Sequence, residues 1–198
     1  MKTLFVFRHG ETEWNRKDLA QGQTDIPLND LGRAQARKIQ PVLKRLDPEI
    51  ILCSDLSRTV ETARIATELL NVKTLFDPRY REASLGEAEG IPYHELADRY
   101  GMDLIHRWRS GNPANLDARF PSGESSREVV ERTFEALLEH LSTLPQSRIG
   151  LSTHGGVIRR IMQRILPEDE PYIPIPNCVV YELHWDEELK LAPWIAWK

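Results

Sequence analysis

Two histidines, each followed by glycine, stand at the ends of two short apolar runs far apart in the chain. Leu4-Phe5-Val6-Phe7 leads into Arg8-His9-Gly10, and Arg148-Ile149-Gly150-Leu151-Ser152-Thr153 leads into His154-Gly155-Gly156. A neutral imidazole with one nitrogen held by a hydrogen bond can attack phosphorus through the other without first losing a proton. Phosphoryl transfer through such an intermediate also needs cations around the equatorial oxygens and a proton donor for the leaving group. Arg8 lies beside His9, and Arg58 follows Ser54-Asp55-Leu56-Ser57; guanidiniums of this kind bind phosphate oxygens in pairs. Asn15 offers amide donors without further charge. Glu82, Glu87 and Glu89 are close together in the sequence, and burial would push any of them toward the neutral form that a general acid needs.

These residues need elements to position them. Short runs rich in β-branched and aromatic residues predict strands over 4–7, 50–53, 72–76 and 148–153. Helical stretches are predicted over 31–46, 57–70, 125–144 and 157–166, with Asn29 or Asp30 placed to cap the first. A closing strand pair over 179–185 and 189–197 turns around Asp186-Glu187-Glu188. Strands alternating with helices give an α/β fold, a three-layer α/β/α sandwich whose central sheet is mostly parallel with one antiparallel edge strand. If both histidine-bearing strands run parallel in that sheet, they deliver both imidazoles to the edge where such sheets bind ligands. From 77 to 124 the pattern loosens, with short helical stretches near 93–100 and 103–108 interrupted by Gly101, Gly111, Pro113 and Pro121. Such an excursion inside one domain, 1–198, reads as a lid or binding segment.

Composition removes several other classes of function. The formal net charge of −4 gives no global attraction to nucleic acid or to an anionic membrane, and no apolar stretch is long enough to span a bilayer. Met1-Lys2-Thr3 leads directly into a strand, so a cytoplasmic location is expected. Cys53 and Cys178 sit in apolar runs without metal-type spacing and read as small buried thiols. His94, His106, His140 and His184 read as structural, and Trp185, Trp194 and Trp197 as packing at a sheet edge that would suit a monomer or a homodimer. Trp108 lies between Arg107 and Arg109; a solvated charged face is the favoured reading there over a second anion contact.

The motifs resemble those of the histidine phosphatase superfamily, which includes the cofactor-dependent phosphoglycerate mutases. Arg8-His9-Gly10-Glu11-Thr12-Glu13-Trp14-Asn15 matches its signature, and further matches follow in the family's order. These are Gln21-Gly22 with Asp25-Ile26-Pro27-Leu28, Leu31-Gly32-Arg33-Ala34-Gln35-Ala36, Ser54-Asp55-Leu56-Ser57-Arg58-Thr59 with Thr62-Ala63, Arg81-Glu82 with Leu85-Gly86, Pro121-Ser122-Gly123-Glu124-Ser125, and His154-Gly155-Gly156. Any one tripeptide is weak evidence, but ordered blocks along nearly the whole chain are specific.

The resemblance implies a phosphoglycerate mutase-like fold in which His9 is phosphorylated and His154 contacts the transferring group. It implies that Arg8, Arg58 and Asn15 bind phosphate, that Gln21-Gly22 lies in the substrate loop, and that Gly155 lines the site. It places the proton donor at Glu82, immediately after Arg81, and implies that neither a metal nor another cofactor is needed. Ala88 stands where the family often has tryptophan, which is expected to widen one wall of the pocket. Trp108-Arg109-Ser110-Gly111-Asn112-Pro113 and Pro121-Ser122-Gly123-Glu124-Ser125 are closer to the phosphatase branch than to the mutases. The expected activity is therefore hydrolysis of a small phosphorylated metabolite. A mutase-type phosphotransferase and a catalytically silent phosphate binder are the alternatives.

Overall fold

Strand β1 (Lys2–Arg8) carries Leu4 and Val6 on one face and Phe5 and Phe7 on the other, all buried. Such a strand has to sit inside a sheet covered on both sides. In the computed structural model, which describes residues 1–166, 173–185 and 195–197, it does so. The sheet joins β1 to β2 (Ile50–Cys53), β3 (Lys73–Phe76), β4 (Arg148–Thr153), β5 (Val180–Trp185) and β6 (Ile195–Trp197) in the order β3-β2-β4-β1-β5-β6. The first four in that order are parallel, and β5 and β6 close the sheet antiparallel. The predicted connection at Asp186-Glu187-Glu188, the strand's start at Leu189 and the side chains of Trp194 and Trp197 lie outside the described residues.

Helices cover both faces. Phe5, Phe7, Ile51 and Cys53 pack against α2 (Asp30–Lys38), α3 (Gln40–Leu46) and α4 (Ser57–Ala66) through Ala36, Leu43 and Ala63. Leu4, Val6, Leu52, Ile149 and Leu151 pack against α7 (Ser126–Thr143) and α8 (Gly155–Ile165) through Val129, Leu137, Val157, Ile158 and Ile161. The remaining helices, α1 (Glu13–Arg16), α5 (Leu96–Tyr100) and α6 (Met102–Arg109), are short. The excursion is anchored by Tyr80, Leu85, Leu96, Ile105 and Phe120, all buried in the α7–α8 core. No helix among the described residues is long and apolar enough to cross a membrane.

The single helix expected over 31–46 is two helices. Pro41 has no N–H to give back to the preceding turn, and the chain breaks at Ile39, restarting with proline in the first turn of α3. Asn29 rather than Asp30 caps α2, accepting from Gly32 N at 2.8 Å. Helix α4 ends at Ala66, short of the predicted Leu70. Helix α8 starts at Gly155, before the predicted Val157, so that His154 is itself its N-cap.

Candidate active site

Pairing of β1 with β4 sets Arg8 opposite Thr153, so the residues that follow them are neighbours. His9 N–H donates to Thr153 O at 3.0 Å, and the His9 and His154 rings lie edge to face with centroids 5.2 Å apart. His9 Nδ1 donates to Gly10 O at 2.7 Å, which leaves the ring's lone pair on Nε2. Gly10 is required here because a Cβ would meet Gly32 O at 2.4 Å. Burial, then the Arg58 and Arg8 charges, hold the pKa of His9 well below its ordinary value, against a smaller opposing effect of the Gly10 bond. The same kind of environment, burial first and Arg58 next, does this to His154.

Arg58 is wholly buried behind the histidines. Its Nε donates to His154 Nδ1 at 3.3 Å, its Nη1 to Thr24 O at 3.1 Å and its Nη2 to Gly22 O at 2.7 Å. Because Nδ1 accepts from Arg58, His154 carries its proton on Nε2, 2.9 Å from Ser54 Oγ. Burial lowers the pKa of Arg58 to about 10 despite nearby Glu82, Asp25 and Glu89. Arg8 donates through Nη1 to Ile175 O at 2.7 Å, and its buried Nε has no hydrogen-bond partner among the described residues.

The loop at 21–24 has a second unpartnered donor. Gln21 Oε1 accepts from Thr12 Oγ1 at 2.7 Å, leaving Gln21 Nε2 buried and without a partner among the described residues, beside the cleft. Asn15 closes a capping box with Thr12, accepting Thr12 N–H on Oδ1 at 3.2 Å, which leaves its amide N–H donors for the cleft. Gly22 does not line the cleft; its contribution is the carbonyl that accepts from Arg58. Glu89 straps this loop in place. Its Oε1 accepts from Gln23 N at 2.9 Å and Leu85 N at 3.0 Å, and its Oε2 from Thr24 N at 2.8 Å. Burial would raise the pKa of this carboxyl, but the bonds from Thr24, Gln23 and Leu85 together outweigh it and hold it below the ordinary value. Glu89 is thus a structural anion, and Glu87 lies outside the cleft near Ser122.

Glu82 does line the cleft. Its Oε2 accepts from Gly156 N at 2.8 Å, in the first turn of α8, and its Oε1 from Ala83 N at 3.0 Å. The cleft, about 750 Å³, brings together Arg8, His9, Asn15, Gln21, Glu82 and Gly155. Arg58 and His154 do not line it, although the His154 ring packs against that of His9. Ala88 is fully buried in the core and does not line the cleft, whereas Ala83, Leu85 and Tyr93 do.

At the outer end Trp108 packs against Phe120 and beneath Arg160, and Arg109 lies 5.8 Å over the Tyr93 ring. Arg107 pairs with Asp103 on the surface, so the charged-face reading holds for Arg107, whereas Trp108 and Arg109 both line the cleft. Cys53 and Cys178 are buried free thiols pushed up to about 12 by burial. Among the described residues no group of three His, Cys, Asp or Glu side chains is placed to hold a metal.

Sequence reasoning missed Arg132 and left Glu124 as a motif without a role. The signal for Arg132 was present: it falls three residues after Val129 and four before Ala136, both buried, so it puts a charge on the core-facing stripe of α7.

Residues 4–194 match the family pattern of the histidine phosphatase superfamily, branch 1. A probable phosphoglycerate mutase GpmB of Cronobacter sakazakii is 33% identical over 99% of this chain and 89% of its own. A mycobacterial glucosyl-3-phosphoglycerate phosphatase solved with VO3 superposes with a TM-score of 0.81 at 26% identity, covering 99% of this chain and 97% of that one. A Thermus thermophilus structure superposes with a TM-score of 0.73 at 30% identity, covering 98% of each chain. The ordered motifs, the sheet that sets two histidines side by side, and these matches along the whole chain agree: the protein belongs to the histidine phosphatase superfamily.

Proposed function

We propose that the protein is a phosphomonoester phosphatase that works through a phosphohistidine on a small phosphorylated metabolite, with guanidinium groups supplying the positive charge. The observation that carries this reading is one cleft holding an imidazole with its Nδ1 already committed, two buried donors on Arg8 and Gln21 without partners among the described residues, and a carboxyl group at Glu82. A phosphate binder needs the first two features but has no use for the third.

In the first step His9 Nε2 attacks phosphorus, the ester P–O bond breaks, and protonated Glu82 gives its proton to the departing alkoxide. The imidazolium formed on His9 keeps its Nδ1–H bond to Gly10 O. In the second step water attacks phosphorus, the Glu82 carboxylate takes a water proton, and the N–P bond breaks. Inorganic phosphate and neutral His9 are released. Arg8, Asn15 and Gln21 are the groups with donors facing the phosphoryl oxygens, while Arg58 and His154 add charge and dipole from behind.

A panel of phosphorylated metabolites scored for free phosphate, with and without a chelator, tests the reading. Phosphate release insensitive to the chelator and abolished by His9→Ala is expected. Unchanged hydrolysis in that variant would remove the mechanism, and activity lost to the chelator and restored by a divalent metal would contradict the role given to the arginines. A mutase reading has the name of the Cronobacter relative in its favour. It predicts that isomerisation of 3-phosphoglycerate outruns phosphate release.

A further inference from the structure

Glu82 sits on an irregular segment, a 3-10 turn at Pro78–Tyr80 followed by extended chain, whose backbone groups have no strand or helix to pair with. One side chain answers most of them. Arg132, reaching in from α7, donates Nη1 to Arg79 O at 2.7 Å and to Arg81 O at 2.8 Å, and Nη2 to Glu82 O at 3.0 Å. Its Nε and the second Nη2 hydrogen go to Glu124 Oε1 at 2.8 Å and Oε2 at 3.0 Å. All five guanidinium N–H groups are therefore used.

Glu124 in turn accepts from Ser84 N at 2.7 Å and from Gln23 Nε2 at 3.2 Å, and that same Gln23 amide donates to Glu82 O at 3.1 Å. Glu124 N–H returns a bond to Ser84 O at 2.8 Å. The pair thus fixes the backbone on both sides of Glu82 and ties it to the loop that carries Gln21. Neither Arg132 nor Glu124 lines the cleft.

We propose that Arg132 and Glu124 are positioning residues for the general acid, setting the place of Glu82 relative to the leaving group and coupling it to the substrate loop. This rests on the phosphatase reading above. A fork of five directed donors has no substitute in lysine, which offers a point charge and three rotating donors. A displacement of the acid by about an ångström is enough to cost up to about 100-fold.

The test compares Arg132→Lys and Glu124→Gln with the parent on phenyl phosphate and 4-nitrophenyl phosphate, in both the native and the Glu82→Gln background, with the urea unfolding midpoint recorded for each. A positioning role predicts a loss of about 10-fold or more on phenyl phosphate and under about 3-fold on 4-nitrophenyl phosphate, whose leaving group needs little protonation. In the Glu82→Gln background the further loss should shrink to within about 2-fold, because residues that act as one unit are not additive. Equal losses on the two esters, or losses that persist undiminished without Glu82, would make the pair merely structural and overturn the proposal. If Arg132→Lys fails to fold, Glu124→Gln carries the comparison. A parent that hydrolyses neither ester, or keeps its activity in His9→Ala, overturns the phosphatase reading itself, a different outcome from losses that ignore the leaving group.

Discussion

Replacing Gly156 by alanine should separate activity from stability. An ideal Cβ at this position lies 2.2 Å from Glu82 Oε1, 2.9 Å from its Cδ and 3.2 Å from its Oε2. All three nearest atoms belong to the end of one flexible side chain, so the backbone can stay and the carboxyl must leave. Reaching ordinary contact near 3.4 Å requires a retreat of about 1.2 Å, which also breaks the Gly156 N bond to Oε2. A misplacement of that size at a reacting group costs up to about 100-fold, within the 10²- to 10⁴-fold that general acid catalysis contributes. Gly156 is not at positive φ, so alanine adds no backbone strain, and the folded state should stay within about 1.5 kcal/mol of the parent, the size of the one hydrogen bond given up.

Steady-state kcat/KM on phenyl and 4-nitrophenyl phosphate, together with urea unfolding, reads both effects. The expected result is a loss of about 10- to 100-fold on phenyl phosphate, a smaller loss on the nitrophenyl ester, and an unfolding free energy within about 1.5 kcal/mol of the parent's. Full activity on phenyl phosphate in Gly156→Ala would show that Glu82 is not the acid held at the α8 terminus. Loss of fold would show that the clash is absorbed by backbone.

Three further outcomes are expected. His9 and His154 stay neutral in the folded protein to well below their ordinary pKa, so once pH falls below about 6.5 the unfolded chain binds more protons than the native one. Stability is then fully present above that pH and falls below it by up to about 1.4 kcal/mol per pH unit for each histidine; urea titrations from pH 7.5 to 5 should show the slope, and a flat profile would contradict the burial argument. Gly32→Ala should destabilise by about 1–3 kcal/mol, because its Cβ would meet the backbone Glu11 O at 2.1 Å and Glu11 N at 2.7 Å; an unchanged urea midpoint would mean that the loop after His9 yields freely. Arg58→Lys removes a fork that serves Gly22 O, Thr24 O and His154 Nδ1 together; inhibition by inorganic phosphate should weaken by about 10-fold or more, and undiminished inhibition would detach Arg58 from anion binding.

The sheet and the histidines at its edge were legible because β1, β2 and β4 are buried on both faces and therefore appear as unbroken apolar runs ending in polar chemistry. The helix division at Ile39 was also available, since Pro41 announces it, but the apolar spacing on either side of the break masks the interruption. Glu89 illustrates what a local reading cannot supply. Its nearness to Glu82 made it a rival acid, whereas its partners are main-chain N–H groups at Gln23, Thr24 and Leu85 that arrive through the fold. Arg132 is further removed still: the carbonyls it serves lie about 50 positions away in sequence, and only its place on a buried helix stripe betrays it.

The arginines divide by partner, and the division explains the electrostatics of the site. Arg132, Arg79 and Arg81 are each matched to a carboxylate, Glu124, Asp77 and Asp55, and serve the scaffold. Arg58 is held by two carbonyls and an imidazole, and Arg8 by the carbonyl of Ile175; among the described residues neither is in an ion pair. Neutral acceptors fix the direction of a guanidinium without cancelling its charge, so the field at His9 and His154 stays positive in a region of low dielectric. That field helps to keep both imidazoles unprotonated. In the proposed reaction a phosphate dianion would offset it on binding, just as attack through Nε2 gives His9 a positive charge. The guanidiniums that help to keep His9 neutral would then be the groups whose neutralisation by substrate permits the imidazolium to form.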